Sequence, residues 1–353
     1  MVDWDLAVLT AKRLMQPSPD VSRDEARQTV EDLRQSASVA EGHVRAYTGL
    51  HAESATAPVL IVDRVGWVQA NADGFKVVLR PLMDKVMEKR DAPSGLTAAI
   101  GSRVTGVEAG GLLAYLASKV LGQFDPFVEA AGTELTGATG GRLLLVAPNV
   151  VQVERDLAVD PKDFRLWVCL HEETHRVQFT AVPWLRGHML REISALVGST
   201  EVDPGKLAGM FREGLEQVGR MVRGDSDASL IDLLQTPEQK AVLERITAVM
   251  SLLEGHADVV MDGVGPKVVP SVEDIRRKFT ARRAGAGPLD QMIRRLLGFE
   301  AKLRQYRDGA VFVRGVVAQV GMERFNAVWA GPQYLPDKAE IADPARWVAR
   351  VHG

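Results

Sequence analysis

Apolar residues recur at helical spacing along most of the 353-residue chain, and two short uninterrupted apolar runs stand apart as strand candidates. Residues 4–16 place Leu6, Leu9 and Leu14 on one side of a short amphipathic helix. After Pro17-Ser18-Pro19-Asp20, the run Ser22-Arg23-Asp24-Glu25 has the form of a capping box and opens a second helix towards Tyr47. Pro58–Val62 fits either a buried strand or a helix start. Helix is predicted over 65–90, interrupted by Gly74 and Pro81, and again from Gly110 to Leu121. Arg142–Ala147 is the best strand in the chain, closed by Pro148-Asn149 and joined to the next helix by a short connection. Residues 184–196 and 204–222 read as helices, followed by a polar loop at 224–229. Thr236-Pro237-Glu238-Gln239 joins a capping box to a proline at the first helical position, which predicts a helix to about Asp262. Helices at 271–283, 288–307 and 311–330 follow, then a tail over 332–353 with a short helix near Trp347. The pattern is that of an α+β, predominantly helical protein. Its N-terminal helical region, 1–130, is either a separate unit or one body with 131–353.

The helix with most chemistry begins at Asp160, a candidate N-cap, with Pro161 in the first position and Asp163 in the first turn. Phe164, Trp167, Val168, His171, His175 and Phe179 then follow one stripe until Pro183. Within it lies His171-Glu172-Glu173-Thr174-His175. Four residues of helix turn the chain by about 400°, so both imidazoles share a face and can hold one metal ion. Glu172 falls where its carboxylate reaches a water in the metal's open position. Two buried histidines bonded to backbone would be the purely structural alternative; the glutamate between them favours metal.

The helix opened at Thr236 carries Leu243, Ile246, Met250, Leu253, Glu254, Ala257, Asp258 and Met261 on one inward stripe. Two carboxylates on such a face need a compensating cation. A catalytic Zn2+ takes three protein ligands and keeps a fourth position for water. His171 and His175 supply two, and Glu254 is the leading third, with His256 or His188 as alternatives. His256, two residues from Glu254, points away from it, so the two do not share one ion. Asp258 is expected behind His171, accepting its free ring N–H. Tyr306, Tyr334 and His188 are candidate donors to an oxyanion.

A formal net charge of −3 argues against a nucleic-acid-binding surface, and the arginines of 271–307 are interleaved with acids as on a solvated face. Hydrophobic content of 46% and charged content of 25% suit a soluble globular protein. Nothing approaches 18 consecutive apolar residues, so no membrane span is expected, and Asp3 and Asp5 stand where a signal peptide needs positive charge. The expected location is the cytoplasm. Cys169, alone, allows no intramolecular disulfide and reads as a core residue; His43 and His51 read as surface or packing residues. The glycine-rich stretch 132–141 lacks the Gly-Lys-Ser/Thr of a P-loop.

His171-Glu172-Glu173-Thr174-His175 followed later by Glu254-Gly255-His256-Ala257-Asp258 resembles the gluzincin branch of the zincin metallopeptidases, H-E-x-x-H plus E-x-x-x-D. The metzincin extension is absent, since Gln178 and Ala181 replace its glycine and its third ligand. The 78 residues between His175 and Glu254 exceed the insert of thermolysin-like enzymes, which keeps His256 and His188 open as third ligands. More of the chain resembles the zincin-like "zincin 2" family: Leu170–Phe179, Pro183-Trp184-Leu185-Arg186, Leu253–Asp258 and Phe325-Asn326-Ala327-Val328-Trp329. That family is mainly actinobacterial and is commonly labelled as hydrolases or as coenzyme-F420-biosynthesis-associated proteins. The resemblance implies a zincin-like core with a small sheet and a zinc hydrolase site. The expected activity is that of a metallopeptidase acting on a peptide or another amide, with Glu172 assisting attack by zinc-bound water. It also makes 142–147 a candidate edge strand for substrate pairing, a core strand being the alternative. The competing readings are a non-catalytic, zinc-stabilised binding or assembly protein, and a metal-free helical scaffold.

Overall fold

Arg142–Val146 (β3) is the middle of a three-stranded sheet rather than its edge. Val59–Val62 (β1) pairs with it in parallel, Val59 opposite Leu143, and Gly122–Asp125 (β2) pairs antiparallel, Gly122 opposite Leu145. The reason lies in the residues. Leu144 and Val146 pack with Val8, Trp67, Val68 and Leu113 on one side, while Leu145 joins Phe164 and Leu170 in the main core on the other. A strand apolar on both faces must be covered on both. The two outer places fall to β1 and β2, and β2, with Gly122, Gln123 and Asp125, carries little apolar surface.

The computed structural model describes residues 2–52, 57–80, 96–128, 140–198, 236–284 and 299–353, with backbone alone at 96–102, 197–198, 283–284 and 299–307. Trp4–Leu14 (α1), Arg64–Val78 (α3) and Leu96–Ala117 (α4) pack together against the face of the sheet formed by Leu144 and Val146. Arg23–Thr48 (α2) lies on the other side, against the central helix Pro161–Ala181 (α6). Between the sheet and α6 comes Ala147–Leu157 (α5), a helix in place of the expected short connection. Pro148 sits in its first turn, where a missing N–H is harmless, so this proline starts a helix as well as ending a strand. The helix expected at 110–121 begins instead at Leu96 and stops at Ala117, leaving room for β2.

Pro183–Gly198 (α7) follows α6 directly. Pro237–Val264 (α8) packs on α6, and Val272–Ala284 (α9) on α5 and α6. Phe299–Phe325 (α10) runs through the expected break near 308–310 and bends at Gly321, where φ is +81°; it crosses α8 at very close range. A 3-10 turn at Asn326–Trp329, another at Pro332–Tyr334, Lys338–Ala342 (α11) and Pro344–His352 (α12) complete the chain, with Trp347 fully buried. No helix among the described residues is long and apolar enough to cross a membrane. The expected helices at 81–90, 204–222 and 288–298, the loop at 224–229 and all but the end of the glycine-rich stretch lie outside the described residues.

Candidate metal centre

α6 is held at its start by Asp160, whose side chain accepts from Asp163 N at 3.0 Å, and by Pro161 in the first turn. Phe164, Trp167, Val168, Leu170 and Val177 are all in the main core, so the helix cannot turn about its axis without exposing them. That fixes where the two histidines point. α8 is anchored by a complete capping box: Thr236 Oγ1 accepts from Gln239 N at 3.1 Å, and the Gln239 side chain accepts from Thr236 N at 3.3 Å.

These two helices bring three ligand atoms together. His171 Nε2 and His175 Nε2 are 3.3 Å apart, and Glu254 Oε2 lies 3.5 Å from the first and 3.4 Å from the second. A tetrahedral ion with bonds of about 2.0–2.1 Å separates its ligands by about 3.3–3.4 Å, so the three atoms form one face of such a tetrahedron. The donor set, two imidazole nitrogens and a carboxylate oxygen, also suits a divalent zinc-type ion. Electrostatics point the same way. Burial pushes the Glu172 carboxyl up to about 8, against the pull of His175 and with help from the charges of Glu254 and Glu173. At His175 burial opposes charging, yet Glu254, Glu172 and Gln178 outweigh it and raise the imidazole to about 9. The carboxylates of Glu254 and Glu172 thus favour positive charge at His175.

Glu172 lies against β2. A Cβ built on Gly122 would fall 2.6 Å from Glu172 Cγ and 3.0 Å from its Oε1, so the side chain crosses the bare Cα of that glycine. On the far side of α6, Glu173 is fully buried and accepts from Arg176 Nε at 2.6 Å. Arg176 also reaches Ala57 O and Glu41 Oε2, both at 2.7 Å, which ties α2 to the histidine helix. Burial raises the Glu173 carboxyl to about 7 despite that arginine. Cys169 is buried in the same helix, its thiol raised well above the ordinary range by burial.

Of the expected residues, His171, His175, Glu254 and Glu172 converge. The others do not. Asp258 does not meet His171: Arg276 donates to its Oδ1 at 3.1 Å and Arg314 to its Oδ2 at 2.6 Å, because α9 and α10 bring arginines to this partly exposed carboxylate. His256 is fully buried and outside the ligand cluster, with Gln178 Nε2 2.9 Å from its Nδ1 and its ring packed on Phe325 and Trp329. Burial pushes it down to about 3. His188 sits edge-on to Trp184 on α7, outside the ligand cluster. Tyr334 lies in the 3-10 turn before α11, where no contact among the described residues joins it to the cluster, and the Tyr306 side chain lies outside the described residues.

Sequence reasoning missed two residues here. Gly122 gave no local signal. Gln178 did: it falls on the histidine face, three residues after His175, as a buried polar group whose Oε1 lies 3.0 Å from His175 Nδ1.

The sequence pattern of the family described as zincin-like metallopeptidases matches residues 2–348. Among solved structures, a Chloroflexus aurantiacus protein provisionally described as a hydrolase with a novel fold is 31% identical, with a TM-score of 0.70 over 99% of this chain and 98% of that one. No curated protein matches the chain.

Proposed function

Since the chain belongs to the zincin-like metallopeptidase family, we propose that it is a zinc-dependent hydrolase that cleaves amide bonds, most simply those of peptides. The observation that carries this is the ligand triangle of His171, His175 and Glu254, 3.3–3.5 Å on each side, with Glu172 next to it in the same helix. A bound Zn2+ supplies Lewis acidity, which acidifies water and draws charge onto a carbonyl oxygen. The chain's own part is then definite. His171, His175 and Glu254 hold the ion. Glu172 accepts a proton from the water that adds to the amide carbon and returns it to the departing nitrogen, so the C–N bond breaks to give an acid and an amine. Its raised proton affinity in the metal-free state comes from burial and from two neighbouring carboxylates, which a cation offsets.

The substrate backbone would lie along β2. This strand is one of the two outer members of the described sheet, and it is the one whose Gly122 puts its backbone against Glu172. The test is digestion of a quenched-fluorescence peptide library by the zinc-loaded protein, with and without a chelator, and by Glu172→Gln. Turnover should vanish with the metal and fall about 10²–10⁴-fold in the variant, which still binds zinc. Zinc binding without turnover of any peptide or simple amide would instead favour a metal-stabilised binding protein.

A further inference from the structure

We propose that Gln178 is the positioning residue of the metal centre: its side-chain amide sets His175 as an Nε2 ligand and ties that ligand to the helix carrying Glu254. This rests on the metal-site reading above.

Gln178 is fully buried, and its Nε2 lies 3.0 Å from Leu253 O and 2.9 Å from His256 Nδ1. A backbone carbonyl can only accept, so the amide nitrogen must face it; the flipped amide would set oxygen against oxygen. The amide oxygen is therefore the end that meets His175 Nδ1, at 3.0 Å. An oxygen acceptor there requires a proton on Nδ1, which leaves the Nε2 lone pair for the ion. The same logic assigns His256. Its Nδ1 accepts from Gln178, so its proton sits on Nε2, among Phe325 and Trp329.

The amide does two things that a carboxylate at this position could not. It accepts from His175 without adding a negative charge beside Glu172 and Glu254, and its other end donates two hydrogen bonds into α8. One of these goes to the carbonyl of Leu253, the residue directly before Glu254. Gln178 thereby couples the second ligand to the third across two helices. His256 has the matching part: held between aromatic rings, it gives the amide nitrogen a fixed second acceptor. The ring wall is itself braced, since Trp184 Nε1 donates to Trp329 O at 2.9 Å.

The experiment has two arms. In the zinc-loaded native chain, long-range 1H–15N spectra of the histidine rings should show the proton of His175 on Nδ1 and that of His256 on Nε2; either ring in the other tautomer overturns the proposal. In the second arm, Zn2+ affinity is measured by competition with a chromophoric chelator, alongside the melting temperature of the metal-free protein. Gln178→Leu should bind Zn2+ about 10–100-fold more weakly. Gln178→Glu keeps an acceptor for His175 but sets oxygens against Leu253 O and His256, so it should recover part of the affinity while its metal-free melting temperature stays as low as that of Gln178→Leu. A Gln178→Leu protein that binds Zn2+ within twofold of native, or affinities that merely follow melting temperature through both variants, would overturn the assignment. A native chain that takes up no Zn2+ removes this proposal together with the hydrolase reading; normal uptake with an unaffected Gln178→Leu removes this one alone.

Discussion

Gly122→Ala is the smallest change that should separate the proposed base, Glu172, from the metal site. The added Cβ would fall 2.6 Å from Glu172 Cγ, 2.7 Å from Cδ and 3.0 Å from Oε1, against an ordinary contact of about 3.6 Å. Close approach to Cγ and Cδ together rules out relief by a shift of the carboxylate tip. The glutamate must change rotamer or β2 must move outward, and either displaces the carboxylate by about 1 Å. A misplacement of that size costs about 10²-fold in turnover, or about 2.7 kcal/mol of transition-state stabilisation. The three atoms that a Cβ on Gly122 would meet first all belong to Glu172, so zinc content should stay at one ion per chain. The decisive assay is a cycle with Glu172→Gln: adding Gly122→Ala to that variant should lower peptide turnover by no more than about threefold, because the group it displaces has already lost its function. Full turnover in Gly122→Ala, or an equal 10²-fold drop in both backgrounds, would refute the claim that β2 sets the base.

Three further outcomes follow from the packing and charge of the site. Gly309→Ala would bring a Cβ to 1.8 Å from Ser251 O, and Gly255→Ala to 2.1 Å from the carbonyl carbon of Gly309, so α8 and α10 must part by more than 1 Å. Either should lower stability by about 1–3 kcal/mol or more in urea melts and weaken zinc in chelator competition by shifting Glu254; unchanged affinity would show that the crossing does not govern the third ligand. Arg176→Met removes the cation from fully buried Glu173 and should destabilise by about 3–5 kcal/mol, with part recovered by adding Glu173→Gln; a loss below about 1 kcal/mol would sink the brace. In the metal-free protein, Glu172 and His175 bind protons more tightly folded than unfolded, since their values rise from 4.5 to about 8 and from 6.5 to about 9. The stability they contribute is complete below the unfolded values and is lost between about pH 4.5 and 8 for the glutamate and 6.5 and 9 for the histidine. Zinc binding expels the His175 proton, so the melting-temperature gap between zinc-loaded and chelated protein should widen from pH 6 to 9; a gap that narrows would contradict it.

Features written in local chemistry were readable in advance. The caps at Ser22, Asp160 and Thr236 need only a side chain and an N–H three residues on, and the helices begin there. The two histidines follow from the helical repeat alone. Elements that depend on distant partners were harder. β2 is four residues with no apolar run, and becomes a strand because β3 offers it hydrogen bonds. Pro148 carries two compatible meanings, strand end and helix start, and only the chain after it chooses between them.

The carboxylates of α8 show where local reading stops and why. Glu254 and Asp258 share a helical face, and the need for a compensating cation holds for both. What a sequence cannot express is which cation. One turn further along the helix, Asp258 lies nearer the rim, where Arg276 of α9 and Arg314 of α10 reach it, while Glu254 lies beside the histidines. The glycine crossing sets that division: with Gly255 against Gly309, α10 comes close enough for Arg314, about one and a half turns further along it, to span Asp258 and Asp262. The two glycines have no chemistry of their own, yet their lack of side chains lets the arginine of α10 reach Asp258 and Asp262 while Glu254 faces the two histidines.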